Sequence, residues 1–163
     1  MRVNTETQAD YSSEATPKNQ GIIDQALALL EGKLLTGDVL NSASVITDYL
    51  KLKVNHKKEH FYLLSLNSRL RLIACDLISI GTVKDAYVHP REVAEKALER
   101  GAAAVVFSHN HPSGHLSPSS ADHKLTKQLC SMFRVMDINP LDHIIVTYDS
   151  SYSFAEMGVM PSD

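Results

Sequence analysis

An α/β fold, a mixed β-sheet flanked by helices with a small helical extension at the N-terminus, is predicted by three features of the sequence. Helical and alternating apolar periods succeed one another in the order α-α-β-β-α-β-α-β-β. A continuous apolar run, "AAAVVF" at 102–107, lies between two amphipathic helical segments and reads as a buried central strand. No long linker interrupts the series, and 163 residues are enough for one domain with a substantial core but few for two.

Residues 1–20 are polar and aperiodic and are expected to form a disordered tail. From Gly21 onward, Ile22, Ala26, Leu29 and Leu30 recur at helical spacing, with Ile23, Leu27 and Leu34 widening the stripe. "TGD" at 36–38 ends this helix, and Asn41 or Ser42 is placed to cap a second one carrying Val45, Ile46, Tyr49 and Leu50. These two helices make up the extension, residues 21–53; residues 54–163 form the domain proper.

Near Val54 the period becomes alternating. "EHFYLLSL" (59–66) and "LRLIACDLIS" (70–79) flank the polar turn "NSR", which predicts an antiparallel hairpin. "VHPREVAEKALERG" is a helix with Pro90 at its first position, Gly101 at its stop, and Val93, Ala94, Ala97 and Leu98 on its buried face. The apolar run follows, then a loop over 108–117. A helix from about Pro118 carries Leu125, Leu129, Met132, Phe133 and Met136. "DHIIVTY" is a strand and "YSFAE" a short last one.

The composition, 44% hydrophobic and 21% charged, is that of a globular protein. A net charge of −3 argues against non-specific binding to nucleic acid or anionic membranes, leaving room only for a local basic patch. No apolar run has the length of a membrane span or the form of a signal peptide, so a cytoplasmic protein is expected. Cys75 and Cys130 form no C-x-x-C pair, which speaks for a reducing compartment and against a cysteine-based zinc site. A zinc nucleobase deaminase, which needs P-C-x-x-C, is excluded on the same ground.

The chemistry concentrates in "SHNHPSGHLSPSSAD", residues 108–122. In an extended segment residues two apart point the same way, so His109 and His111 project together from the end of the central strand. Two imidazoles so placed can share one Zn²⁺, although an isolated H-x-H is more often a pair of solvated loop histidines. Ser119-x-x-Asp122 has the form of a capping box. Pro118, better suited to the first helical position, instead makes Ser117 the cap and puts Ser119 and Asp122 on one face of the first turns. Pro112, Ser113 and Gly114 allow the loop to fold that face toward the histidines, where Asp122 would complete a His₂Asp set.

The string His109-x-His111-Pro112 followed by Ser119-x-x-Asp122 resembles the JAMM motif of the JAMM/MPN metalloprotease fold, a deaminase-like architecture. "HNHPSG", with "PS" before the aspartate and "LDHIIVTYDSSYSFAEMG" after it, is similar to the bacterial RadC family within that fold. The resemblance runs from about Gly21 to Gly158 and is to a short form lacking the helix-hairpin-helix segment. It implies one zinc per chain on His109, His111 and Asp122, and hydrolysis of an amide or isopeptide bond in a peptide or protein substrate. The oxyanion would be stabilised by the metal and Ser119. It also implies a glutamate at the start of an early strand, hydrogen-bonded to the water on the metal; Glu59 stands there. Without the resemblance, Asp76 and Glu92 are comparable candidates, and His115 could replace a ligand, though it lies outside the motif. The alternative is a DNA-associated RadC-like module in DNA repair or mobile-element biology, for which salt-dependent affinity for DNA is expected.

Overall fold

The computed structural model describes residues 17–37, 43–54, 57–81 and 88–162. Among the described residues nine elements follow in the expected order: α1 (Pro17–Thr36), α2 (Ala43–Lys53), β1 (Glu59–Leu66), β2 (Leu72–Gly81), α3 (Pro90–Glu99), β3 (Ala104–Asn110), α4 (Ser120–Val135), β4 (Asn139–Val146) and β5 (Ser151–Ser153). The strands form one mixed sheet in the order β2-β1-β3-β4-β5, in which only β3 and β4 run parallel. Among the described residues no helix is long and apolar enough to cross a membrane.

Strand alternation divides the core into two clusters, one on each face of the sheet. Tyr62, Leu64, Ala104, Val106, Ile144 and Val146 meet α1 and α2 through Leu34, Ile46, Tyr49 and Leu50. On the opposite face Phe61, Leu63, Val105 and Phe107 meet α3 and α4 through Val93, Ala97, Leu129 and Phe133. The chain is thus a three-layer sandwich with β3 at its centre.

Several boundaries differ from the sequence expectation. Helix α1 begins at Pro17, so residues 17–20, expected to belong to a disordered tail over 1–20, are helical; the rest of that tail, 1–16, lies outside the described residues, as do the proposed caps Asn41 and Ser42. Leu27, Leu30 and Leu34 of α1 pack into the core, whereas Ile22 and Leu29 are 68% and 71% exposed. Strand β2 starts at Leu72, two residues late, because the turn is wider than "NSR". Asn67 closes it, its Oδ1 accepting from the N–H groups of Arg69 and Arg71, and Leu70 takes a left-handed φ of 55°. Leu98 is 58% exposed, since it lies about 100° round the helix from Ala97, off the face that meets the sheet.

The difference that matters for function is in β3. The strand does not end at Phe107 but continues through Ser108, His109 and Asn110, all buried. Its two neighbours hold it: β1 pairs Phe61 with His109, and β4 pairs Val146 with Asn110. His109 therefore belongs to the strand, on the α3/α4 face, and not to a loop.

Candidate metal centre

The site lies where β3 ends and α4 begins, at the carboxyl edge of the parallel pair, with antiparallel β1 on the other side. His109 projects from the penultimate position of β3, 2% exposed. His111 follows just past the strand, anchored by its N–H to the Val146 carbonyl at 3.0 Å. The chain then reverses over Pro112 and Ser113, with the Gly114 N–H donating to the His111 carbonyl. Gly114 takes φ 76°, a left-handed conformation that a side chain would strain. That turn brings the His115 carbonyl to 2.6 Å from His111 Nδ1. A carbonyl only accepts, so His111 carries hydrogen on Nδ1 and directs Nε2 inward. The backbone of His115, and not its exposed ring, is what the site uses.

Helix α4 delivers the third group, by a route different from the one expected. Ser119, not Ser117, is the N-cap, and Pro118 precedes it. Asp122 at N3 decides this: its Oδ2 accepts from the Ser119 N–H and hydroxyl, each at 2.6 Å, while its own N–H donates to Ser119 Oγ at 3.2 Å. A reciprocal box satisfies the helix start better than proline at N1 with an unpartnered Ser117. Ser119 and Asp122 are nonetheless side by side at the histidines.

His109 Nε2 is 3.2 Å from Asp122 Oδ1, His111 Nε2 is 3.5 Å from Asp122 Oδ2, and the two ring nitrogens are 2.9 Å apart. Ligand atoms about 2.0–2.1 Å from a tetrahedral zinc lie roughly 3.3–3.4 Å from one another. The donor set fits a divalent metal in spacing and in chemistry, and these three are the group of possible metal ligands among the described residues. Burial alone would raise the Asp122 carboxyl, but the His109 and His111 rings and the Ser119 hydroxyl beside it outweigh burial and hold it far below the carboxylate range. His111 is shifted up, first by its hydrogen bond to Asp122, against burial and with help from the His115 carbonyl and the charges of Asp122 and Glu59.

A proton on His111 thus competes for the place of a cation. Because the shift is upward, that proton stays on to a pH above the ordinary 6.5 and must leave when metal binds. The apparent affinity for a divalent cation is expected to weaken about tenfold per pH unit below the raised value. Metal titrations at several pH values check this; affinity independent of pH between 5 and 8, ordinary titration ground for an imidazole, would contradict it.

Glu59 opens β1 on the same face as Phe61 and His109. Burial raises its carboxyl, His109 and His111 pull it down, and Asp122 pushes it up again, with a net rise. The other two carboxylates weighed from the sequence are engaged or distant. Asp76 is gripped by Arg100 through contacts of 2.5 and 3.0 Å, and Glu92 is exposed on α3.

Three contributors were not evident from the sequence. Asn110, between the two histidines, accepts from the His60 N–H at 2.8 Å and donates to the Lys58 carbonyl at 2.9 Å, clamping the backbone on both sides of Glu59. His143 on β4 is fully buried and stacks on Phe154, with Phe61 and Phe107 at its edges. Its Nε2 is 2.8 Å from His109 Nδ1 and its Nδ1 is 2.6 Å from Thr126 Oγ1. An unpaired ring nitrogen at such depth would cost about 1–3 kcal/mol. Burial, with the neighbouring histidines, pushes the His143 pKa well down, so its ring is neutral.

Residues 40–159 match the family model of the RadC-like JAB domain. The chain belongs to the RadC-like JAB family. Relatives of this RadC-like domain include UPF0758 proteins from Ralstonia nicotianae, 40% identical over 140 residues, and Vibrio cholerae, 38% identical over 151 residues. YfjY of Escherichia coli, also a UPF0758 protein, is 41% identical over 143 residues. The alignments cover 85%, 92% and 86% of this chain in turn. They cover 62% of the Ralstonia protein, 96% of the Vibrio protein and 89% of YfjY, so the chain spans under two thirds of the first and nearly all of the second.

Proposed function

We propose that this RadC-like JAB domain is a zinc-dependent hydrolase of the JAMM type, cleaving an amide or isopeptide bond in a peptide or protein. The observation that supports this is the convergence of His109 Nε2, His111 Nε2 and Asp122 on one point, with Glu59 interacting electrostatically with all three. His109, His111 and Asp122 would hold the zinc, and three protein ligands, not four, is the donor count of catalytic sites. When bound, the metal lowers the pKa of water from 15.7 to about 7 and polarises a carbonyl.

Glu59 acts as the proton carrier. Ionised above its raised pKa, its carboxylate takes the proton of the attacking water and passes it to the departing amine, so activity falls as pH drops through that value. Asn110 holds the backbone on either side, which limits where the carboxylate can reach. Ser119 supplies a hydroxyl for the oxyanion, but it donates its single hydrogen to Asp122 Oδ2, so donation to an oxyanion requires the hydroxyl to rotate away.

Ser119→Ala is therefore expected to show two effects. Loss of the cap costs about 0.5–2 kcal/mol of stability. Loss of the donor lowers kcat about 10²–10³-fold per folded molecule. Ser117→Ala should leave both Tm and kcat near wild type, because Ser117 lies outside the cap. Melting curves and turnover for both variants check this; a Ser119→Ala protein fully active per folded molecule would confine that serine to capping.

The function itself is tested by exposing a diverse peptide library to the zinc-loaded protein and reading cleavages by mass spectrometry. Chelator-reversible cleavages absent with Glu59→Gln are expected. A library in which wild type makes no cleavage that the Glu59→Gln protein lacks would overturn the proposal.

A further inference from the structure

We infer that the buried pair His143 and Thr126 locks the His109 ring in the tautomer whose Nε2 lone pair faces His111 and Asp122, making both residues positioning groups for a metal ligand. The inference rests on reading that cluster as a metal site, but the proton arrangement follows from the chain's own hydrogen bonds.

Thr126 Oγ1 lies 2.6 Å from the Asp122 carbonyl oxygen, which can only accept, so the one hydroxyl hydrogen lies between them. The same Oγ1 lies 2.6 Å from His143 Nδ1. With its hydrogen already committed, it must accept there, and His143 therefore carries its hydrogen on Nδ1. Among the described hydrogen bonds the ring nitrogens of His143 meet only Thr126 and His109. With one hydrogen on the ring, Nε2 has a lone pair, and at 2.8 Å it accepts from His109 Nδ1–H. His109 Nε2 is then left with a lone pair, aimed at His111 Nε2 and Asp122 Oδ1.

The fold makes this chain of bonds from three elements. Thr126 lies one helical turn after Asp122 on α4, so the helix face that presents the carboxylate to the histidines presents the hydroxyl to His143. His143 stands opposite Phe107 on the neighbouring strand, two ladder positions from the pairing of His109 with Ile145, so it shares the face of the sheet on which His109 lies. Metal-bound histidines commonly donate their second ring N–H to a carbonyl or carboxylate, and His111 does so to the His115 carbonyl. For His109 a second imidazole fills that role, and an imidazole accepts only if its own hydrogen is held elsewhere. Thr126 holds it. Without the hydroxyl, His143 would have no acceptor for Nδ1–H; moving its hydrogen to Nε2 would push the His109 hydrogen to its own Nε2, where it blocks the metal.

Thr126→Val keeps the side-chain shape and removes the hydroxyl; Thr126→Ser keeps the hydroxyl. Long-range ¹⁵N–¹H spectra of the histidine rings, recorded on chelator-treated protein, read the tautomer directly. Zinc Kd is measured on the same proteins by competition with a chelating dye. Wild type and Thr126→Ser are expected to show His109 protonated at Nδ1 and to bind zinc within a few-fold of each other. Thr126→Val is expected to lose that tautomer preference and weaken zinc binding about 10–100-fold. Thr126→Ala carries the same expectation and replaces the valine variant if that does not fold. A folded Thr126→Val or Thr126→Ala protein with the wild-type His109 tautomer and the wild-type zinc Kd would overturn the inference. Wild type with the expected tautomer but no zinc uptake would support the lock while ending the hydrolase proposal.

Discussion

Replacing Glu59 with glutamine is expected to lower hydrolysis about 10²–10⁴-fold while zinc content and Tm stay near wild type. Glutamine keeps the size and much of the hydrogen bonding of glutamate but cannot accept the water proton. Glu59 is only half-buried at the first residue of β1, and neighbouring backbone is held by the Asn110 side chain, so the strand should not move. Turnover, metal content and a melting curve on the same preparation check it. Unchanged turnover would mean the proton carrier is another group. Asp76 would be a poor replacement, because Arg100 engages both of its oxygens.

Asp122 should be the most costly of the three candidate ligands to lose, since one carboxylate serves both the histidines and the helix start. Asp122→Asn keeps an oxygen for the Ser119 N–H but gives up the charge, so zinc binding and hydrolysis should be lost with the cap largely intact. Asp122→Ala loses the cap partner as well, and its metal-stripped form should be less stable than that of Asp122→Asn by about 1 kcal/mol. Metal analysis and melting of the stripped proteins separate the two effects. Full zinc content in Asp122→Ala would remove the aspartate from the ligand set and return attention to His115.

The element order was legible because each helix and strand carries its own apolar period, and punctuation such as Pro90 and Gly101 sits where the backbone needs it. The three candidate ligands were legible because they lie within fourteen positions of sequence, joined by one turn. What surrounds them was not. His143 reaches Thr126 across 17 residues and His109 across 34, and Asn110 reaches His60 across 50. Those contacts arise from the β1-β3-β4 pairing and from the packing of α4 on β4, which no local period records. A histidine inside the apolar string "DHIIVTY" was the one available signal, and it reads equally as a satisfied core residue.

The start of α4 departs from the sequence expectation for a different reason. Proline at the first helical position is a good rule, but it competes with a reciprocal hydrogen-bonded box, and here the box prevails because Asp122 also faces two imidazoles. The run "AAAVVF" ends earlier than the strand because a strand's extent depends on its partners' length: β1 continues alongside Ser108 and His109, and β4 alongside Ser108, His109 and Asn110. Likewise the outward turn of Ile22, Leu29 and Leu98 reflects how little of α1 and α3 the sheet can cover.

The central claim, that His109, His111 and Asp122 form a zinc site, is tested most directly by isothermal titration of zinc into tag-free, chelator-treated protein, in parallel with the His109→Ala, His111→Ala and Asp122→Ala variants. One tight zinc per wild-type chain is expected, and no tight binding in any of the three variants. Wild-type protein that takes up no zinc, or variants that bind it as tightly as wild type, would contradict the claim.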